Sequence, residues 1–151
     1  MPVKNHPFFQ APTGAVYAIA VAPENWGFVR FFRGNALAVL SIVGRVPEMP
    51  RIDWKTPPVG WVFSSFAPRS DSTEAVRVGI VPFPDGDSEW APPCFVPPDQ
   101  IDNCYKIHDK WRIRRAAETE VQGMRQCRTV TPAQLAVFLR ERLDSGELQL
   151  V

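Results

Sequence analysis

The sequence predicts a mostly β fold (α+β): a small antiparallel sheet, rolled or closed into a partly open barrel, with one C-terminal helix. Three observations carry this prediction. Sixteen prolines punctuate the chain, many of them paired, as at Pro57-Pro58, Pro92-Pro93 and Pro97-Pro98. Each removes a backbone donor and fixes φ, which breaks helices and sheet ladders and excludes a helical bundle. Between the prolines run short apolar segments, several alternating with period two. One segment near the C-terminus carries helical spacing with start and stop signals. A chain of 151 residues with 45% apolar residues fits a single domain, 1–151, that buries its own core.

Residues 1–13, with Pro2, Pro7 and Pro12, read as an irregular lead-in anchored by Phe8 and Phe9. Gly14 to Ala22 is a strand rich in β-formers. Pro23-Glu24-Asn25 is a turn, with Asn25 suited to the left-handed region. Trp26 to Phe32 is a second strand, Gly34-Asn35 a tight-hairpin dipeptide, and Leu37 to Val43 a third strand. The three form a meander. Trp26, Phe28 and Phe32 project to one side, and Val29 and Phe31 to the other. A sheet apolar on both faces must be covered twice, curl into a barrel, or use one face for binding.

A proline-interrupted connection carrying Trp54 spans Gly44 to Pro58. Val59 to Phe66 and Ala75 to Phe83 alternate as half-buried strands, with Ala67 to Thr73 a polar loop between them. Residues 84–104 form a proline-rich acidic loop, and within it Pro84 to Pro98 is neither strand nor helix. Tyr105 to Arg114 suggests a hairpin around His108-Asp109-Lys110, and Ala116 to Val121 one helical turn closed by Gly123. The helix spans 131–145. Thr131 is its N-cap, Pro132 the first helical residue and Gln134 the far side of a capping box. Leu135, Phe138, Leu139 and Leu143 share its apolar face, Gly146 follows as the cap, and Leu148 to Val151 adds a last short strand. The expected core is Val16, Ile19, Phe28, Val29, Val62, Val78, Ile80, Leu135, Phe138 and Leu139.

Residues able to carry chemistry are few. Cys94, Cys104, Cys127 and His108 comprise a zinc-compatible ligand set, but no Cys-x2-Cys knuckle is present. The odd number of cysteines argues against a disulfide framework, so the expectation is free thiols and no metal. Cys94 or Cys104 with His108 is the sole thiol–imidazole option, and no Gly-x-Ser-x-Gly elbow exists. Asp85, Asp87 and Glu89 alternate like the start of a calcium loop, without the distal glutamate. No phosphate-binding glycine loop is present. We therefore expect no catalytic residue and no cofactor.

The formal net charge of +1 gives no overall pull toward nucleic acid or an anionic membrane. It hides a local asymmetry. Asp85, Asp87, Glu89, Asp99 and Asp102 form an acidic stretch without lysine or arginine. From Lys106 to Arg128 bases lead, interleaved with Tyr105 and Trp111 as on a single-stranded nucleic-acid surface. Segments this short commonly pair with each other, so nucleic acid is the second reading. The first is a partner-binding surface formed by Asp85, Asp87, Glu89, Asp99 and Asp102 with Trp90 as its anchor. Aromatic anchors supply affinity and complementary charge supplies association rate. No basic, apolar and cleavage regions mark a signal peptide, and the apolar run Gly14 to Ala22 is too short to span a bilayer, so a cytoplasmic protein with no membrane association is expected.

One resemblance sharpens this. Gly14-Ala15-Val16-Tyr17-Ala18-Ile19, followed after a turn by Trp26-Gly27-Phe28-Val29-Arg30, resembles the opening of the immunity protein 26 family of bacterial polymorphic toxin systems. The Trp54 to Trp61 stretch and the basic Tyr105 to Arg115 segment are compatible with it. The resemblance rests on the N-terminal half. It implies a mostly β cytoplasmic protein that binds and neutralises a cognate protein toxin, often a nuclease, and it implies no catalytic residues. The alternatives are a small-barrel nucleic-acid-binding module and an enzyme of unrecognised type.

Overall fold

A computed structural model describes residues 12–32, 36–64, 74–83, 92–109 and 112–150. The meander is β1 (Ala15–Ala22), β2 (Asn25–Phe31) and β3 (Ala36–Gly44), each antiparallel to the next. The turn between β1 and β2 places Glu24, not Asn25, at positive φ, +65°; Asn25 already pairs with Ala22. Two further strands, β4 (Gly60–Ser64) and β5 (Ala75–Ile80), flank the meander. The large sheet runs β10-β4-β3-β2-β1-β5, where β10 is Thr129–Val130. β3 is long enough to serve two neighbours on one side. Its first half pairs with β4, and Ile42 and Val43 pair in parallel with β11 (Gln149–Leu150). The sheet curls into a half-barrel closed by one helix, the predicted mostly β architecture.

Both apolar faces of the meander are covered. On one, Tyr17, Ile19, Val29, Phe31, Leu37, Val39 and Val62 pack with Leu135, Phe138 and Leu139 of the helix α1 (Pro132–Asp144). Gly27 permits the close approach: a Cβ there would lie 2.9 Å from Leu139 Cδ1. On the other, Val16, Ala18, Phe28, Leu40 and Ile42 pack beneath Ile52 and Trp54 of the proline-interrupted connection. The alternation of β2 thus reads out two cores, one under a helix and one under a loop.

The helix caps form as predicted. Thr131 Oγ1 accepts the Gln134 N–H, and Gln134 Oε1 accepts the Thr131 N–H, at 3.3 and 2.9 Å. Ser145 is the C-cap, and Gly146 follows at φ +82° with its N–H on Leu143 O.

Gly14 ties β1 to the segment after β5. Its N–H donates to Phe31 O, its carbonyl accepts the Val81 N–H, and its φ is +92°. A Cβ would sit 2.7 Å from Val81 O, so glycine is required for geometry and space alike.

Two expectations fail here. Val78 is only half-buried and Ile80 is 51% exposed, because β5 is the last strand on its side of the sheet. A bulge in its pairing with β1, between Val16 and Tyr17, further shifts the register. The segment expected to be free of secondary structure contains β6 (Cys94–Val96). Pro92-Pro93 and Pro97-Pro98 limit that strand to three residues without preventing it. With β7 (Tyr105–Asp109), β8 (Arg112–Ala116) and β9 (Arg125–Gln126) it forms a second sheet, in the order β8-β7-β6-β9. The β7–β8 hairpin matches the sequence reading, and the helical turn is a 3-10 turn at Glu118–Val121.

Candidate functional site

Of the residues expected at the partner surface, Asp85, Asp87, Glu89 and Trp90 lie outside the described residues; Asp99 and Asp102 lie within them. Asp99 builds a turn. Its Oδ1 accepts the N–H groups of Ile101 and Asp102 at 2.8 and 2.6 Å, and its own N–H donates to Asp102 O at 3.0 Å. These bonds to the charged form, the one from Asp102 first, hold its carboxyl below the usual range. The side chain at the tip is Ile101, which is 97% exposed. Sequence reasoning missed an isoleucine so fully in water, on backbone fixed by an aspartate. The local Asp-x-x-Asp spacing is the available signal, since short aspartate side chains bond backbone two or three residues on.

Asp102 is engaged differently. Its carboxylate accepts the Cys104 thiol at 3.0 Å and lies 2.9 Å from Lys106 Nζ. The Cys104 bond, then the Lys106 bond, lowers its pKa. The same bond pushes the Cys104 thiol up, and the Lys106 ammonium is raised by its bond to Asp102. Of the two described acids, Asp102 is thus balanced by Lys106, while Asp99 is committed to the backbone of the turn.

The basic segment comprises the β7–β8 hairpin and residues 117–128. Arg112, Ile113, Arg114 and Arg115 of β8 are all exposed, Ile113 by 62%. Register places Lys106 opposite Arg115 and Ile107 opposite Arg114. Arg114 meets Glu120 of the 3-10 turn at 2.8 Å, and Glu120 also accepts the Ala117 N–H. The Arg114 bond, then the Ala117 bond, depresses the Glu120 pKa. Tyr105 is half-buried against Phe95, ring centres 6.1 Å apart, and so is not a free stacking platform. Lys110 and Trp111 lie outside the described residues.

The cysteine expectation is overturned. Cys94 and Cys127 are disulfide-bonded, with Cα atoms 5.0 Å apart, and Cys104 is free. Parallel pairing of β6 with β9 and the bond from Cys127 N–H to Phe95 O bring the two together. An odd count excludes complete pairing; it does not exclude one pair and a remainder. His108 is the cross-strand partner of Cys94, so Cys94, Cys127 and His108 of the weighed ligand set are close neighbours. The His108 ring rests edge-on against Phe63 of the large sheet, and burial lowers its pKa. The Cys94 and Cys127 thiolate donors are consumed by the disulfide. Among the described residues no group of three His, Cys, Asp or Glu side chains is placed to hold a metal.

A groove of about 390 Å3 runs between β10 and α1, lined by Arg128, Val130, Ala133, Val137, Phe138 and Glu141. The guanidinium groups of Arg128 and Arg142 lie 4.8 and 4.7 Å from the centre of the Phe138 ring.

Fold and site together define a mostly β protein with a curled main sheet, a small disulfide-tied second sheet and a hydrogen-bonded, isoleucine-tipped turn. No family model, curated protein or solved structure matches the chain.

Proposed function

We propose that this chain is a non-enzymatic protein-binding module, and specifically an immunity protein that binds and neutralises a cognate bacterial toxin in the cytoplasm. The observation that carries the binding reading is Ile101, 97% exposed on a turn held by three hydrogen bonds from or to Asp99. A pre-ordered apolar tip loses little entropy on docking, and its burial supplies affinity. Asp85, Asp87, Glu89 and Trp90, with Asp99 and Asp102, would complete the surface. The toxin assignment rests on the resemblance of the Gly14 to Arg30 region. No helix among the described residues is long and apolar enough to cross a membrane. The test is co-expression with the product of the gene neighbouring this chain's own. Growth rescue by the native chain, lost with Ile101→Asp, supports the reading; no rescue, with no complex on mixing the purified proteins, ends it.

The exposed arginines of β8 favour a second reading, a nucleic-acid-binding module. Against it, Lys106 and Arg114 already pair with Asp102 and Glu120. Salt-sensitive, sub-micromolar binding to single-stranded RNA or DNA would promote it.

A further inference from the structure

We propose that the Cys94–Cys127 bond is a site of thiol–disulfide exchange, attacked at Cys127, whose reduction frees the strip of backbone joining the two sheets. Three observations lead there. The two cysteines differ in exposure: Cys94 is 1% exposed, whereas Cys127 is half-buried. The bond sits at a junction. Cys127 N–H donates to Phe95 O of the small sheet, and the next residue, Arg128, accepts the Phe63 N–H of the large sheet through its carbonyl, each at 2.8 Å. Beyond this strip the described contact between the sheets is slight, the Phe63–His108 ring contact being the clearest. Among the described residues, the disulfide therefore fixes a two-residue bridge that carries most of the contact between the sheets.

The chemistry follows from access. A thiolate of an external dithiol attacks Cys127 Sγ. The Cys94–Cys127 bond breaks, and Cys94 Sγ leaves as a thiolate that takes up a proton. The second thiol of the reagent then attacks the sulfur it had placed on Cys127. Cys127 leaves as a thiolate and is protonated in turn. The dithiol ends as a disulfide, oxidised by two electrons, and the protein gains two thiols. Attack at Cys94 would require opening the packing around it. Cys104 is no competitor at neutral pH, because its bond to Asp102 disfavours the thiolate. The bridge also carries Arg128 to the groove wall over Phe138, so its release alters that surface. This inference is independent of the toxin assignment.

Two measurements on the full chain, in a Cys104→Ser background, test it. The first is selectivity. The intact bond is treated with reduced glutathione, free thiols are alkylated at once, and the mixed disulfide is located by peptide mass. Glutathione should be found on Cys127 in at least about tenfold excess over Cys94; equal or reversed amounts overturn the site of attack. The second is hydrogen exchange before and after dithiothreitol. Reduction should speed exchange at the Cys127 and Phe63 amides about tenfold or more, while Tyr17 and Val29 in the central strands keep their protection. Unchanged exchange at the bridge overturns the release. Loss of protection in the central strands as well would make the bond a global staple and equally overturn it.

Discussion

The guanidinium of Arg30 lies 3.6 Å from the centre of the Phe83 ring. Arg30 is 5% exposed, on the face of β2 that also carries Trp26 and Phe28. Its charge is met by backbone: Nε and Nη2 donate to Val81 O at 2.9 and 2.6 Å, and Nη2 to Pro82 O at 2.6 Å. Trp54 covers the group at 5.4 Å. A central strand thereby grips the last described residues before the acidic segment. In the sequence Arg30 is only one residue of a strand motif, because a charged residue between aromatics gives no sign of which carbonyls await it.

Arg30→Met keeps much of the side-chain volume but leaves the Val81 and Pro82 carbonyls without this donor. We predict a loss of about 2–4 kcal/mol in denaturant unfolding. Arg30→Lys should recover only part of it, since an ammonium cannot reproduce the flat fork that spans both carbonyls. A cost below about 0.5 kcal/mol for the methionine variant would show that water replaces the guanidinium freely.

Phe138 tests whether the helix closes the main core. It is 7% exposed, packs with Leu135 and Leu139 over the sheet, and carries an arginine from α1 and another from the bridge on its ring. Phe138→Ala should cost about 3–5 kcal/mol in a denaturant melt. A loss under about 1 kcal/mol would mean that α1 does not seal that face.

Legibility in the sequence depends on the kind of signal each element gives. The meander and α1 announce themselves locally, through alternation in β2 and through Thr131, Pro132 and Gln134 at the helix start. Ile80 is misread from sequence because alternation gives a strand's face but not its rank in the sheet, and β5 lies at the edge. β6 escapes notice because the prolines on both sides of it look like a loop; only pairing with β7 and with β9, distant in sequence, makes it a strand. The Cys94–Cys127 bond spans 33 residues and depends on that same pairing, so spacing alone could not reveal it. Asp99 and Asp102 stand out in sequence for their charge, whereas the structure spends much of it on a turn and on Lys106.

That turn should respond to acid. The Asp99 and Asp102 carboxyls both titrate below their ordinary values in the folded chain. A depressed folded pKa means that the contribution is present above the unfolded pKa and fades as pH falls through the folded one. The turn should therefore be ordered at neutral pH and loosen only below about pH 4. Carbon-detected NMR titration of the two carboxyls, read beside the Ile101 and Asp102 amide shifts, checks this. Asp99→Asn should weaken the acid response of those amides. An Asp99 midpoint at or above that of an unfolded peptide would refute the turn's hydrogen bonding.

Two exposed isoleucines distinguish the two candidate faces. Ile101 and Ile113 are both exposed, at 97% and 62%, but in opposite electrostatic settings. Ile101 stands between Asp99 and Asp102, whereas Ile113 stands between Arg112 and Arg114. Neither anchors a core, so Ile101→Asp and Ile113→Asp should each leave the melting temperature nearly unchanged. If the Asp99–Asp102 turn is the docking surface, Ile101→Asp should weaken the complex with the toxin at least about tenfold, roughly 1.4 kcal/mol. Ile113→Asp should change it little. Calorimetric titration of each variant against the toxin reads the difference directly. Asp99→Ala adds a discriminating arm: it leaves Ile101 in place but removes the carboxylate that orders its backbone. Loss of affinity in that variant, mainly through faster dissociation, would show that pre-ordering of the turn matters as well as the isoleucine itself. If Ile113→Asp weakens the complex and Ile101→Asp does not, the partner docks on the exposed basic strand β8, and the acidic turn is a fixed corner of the fold.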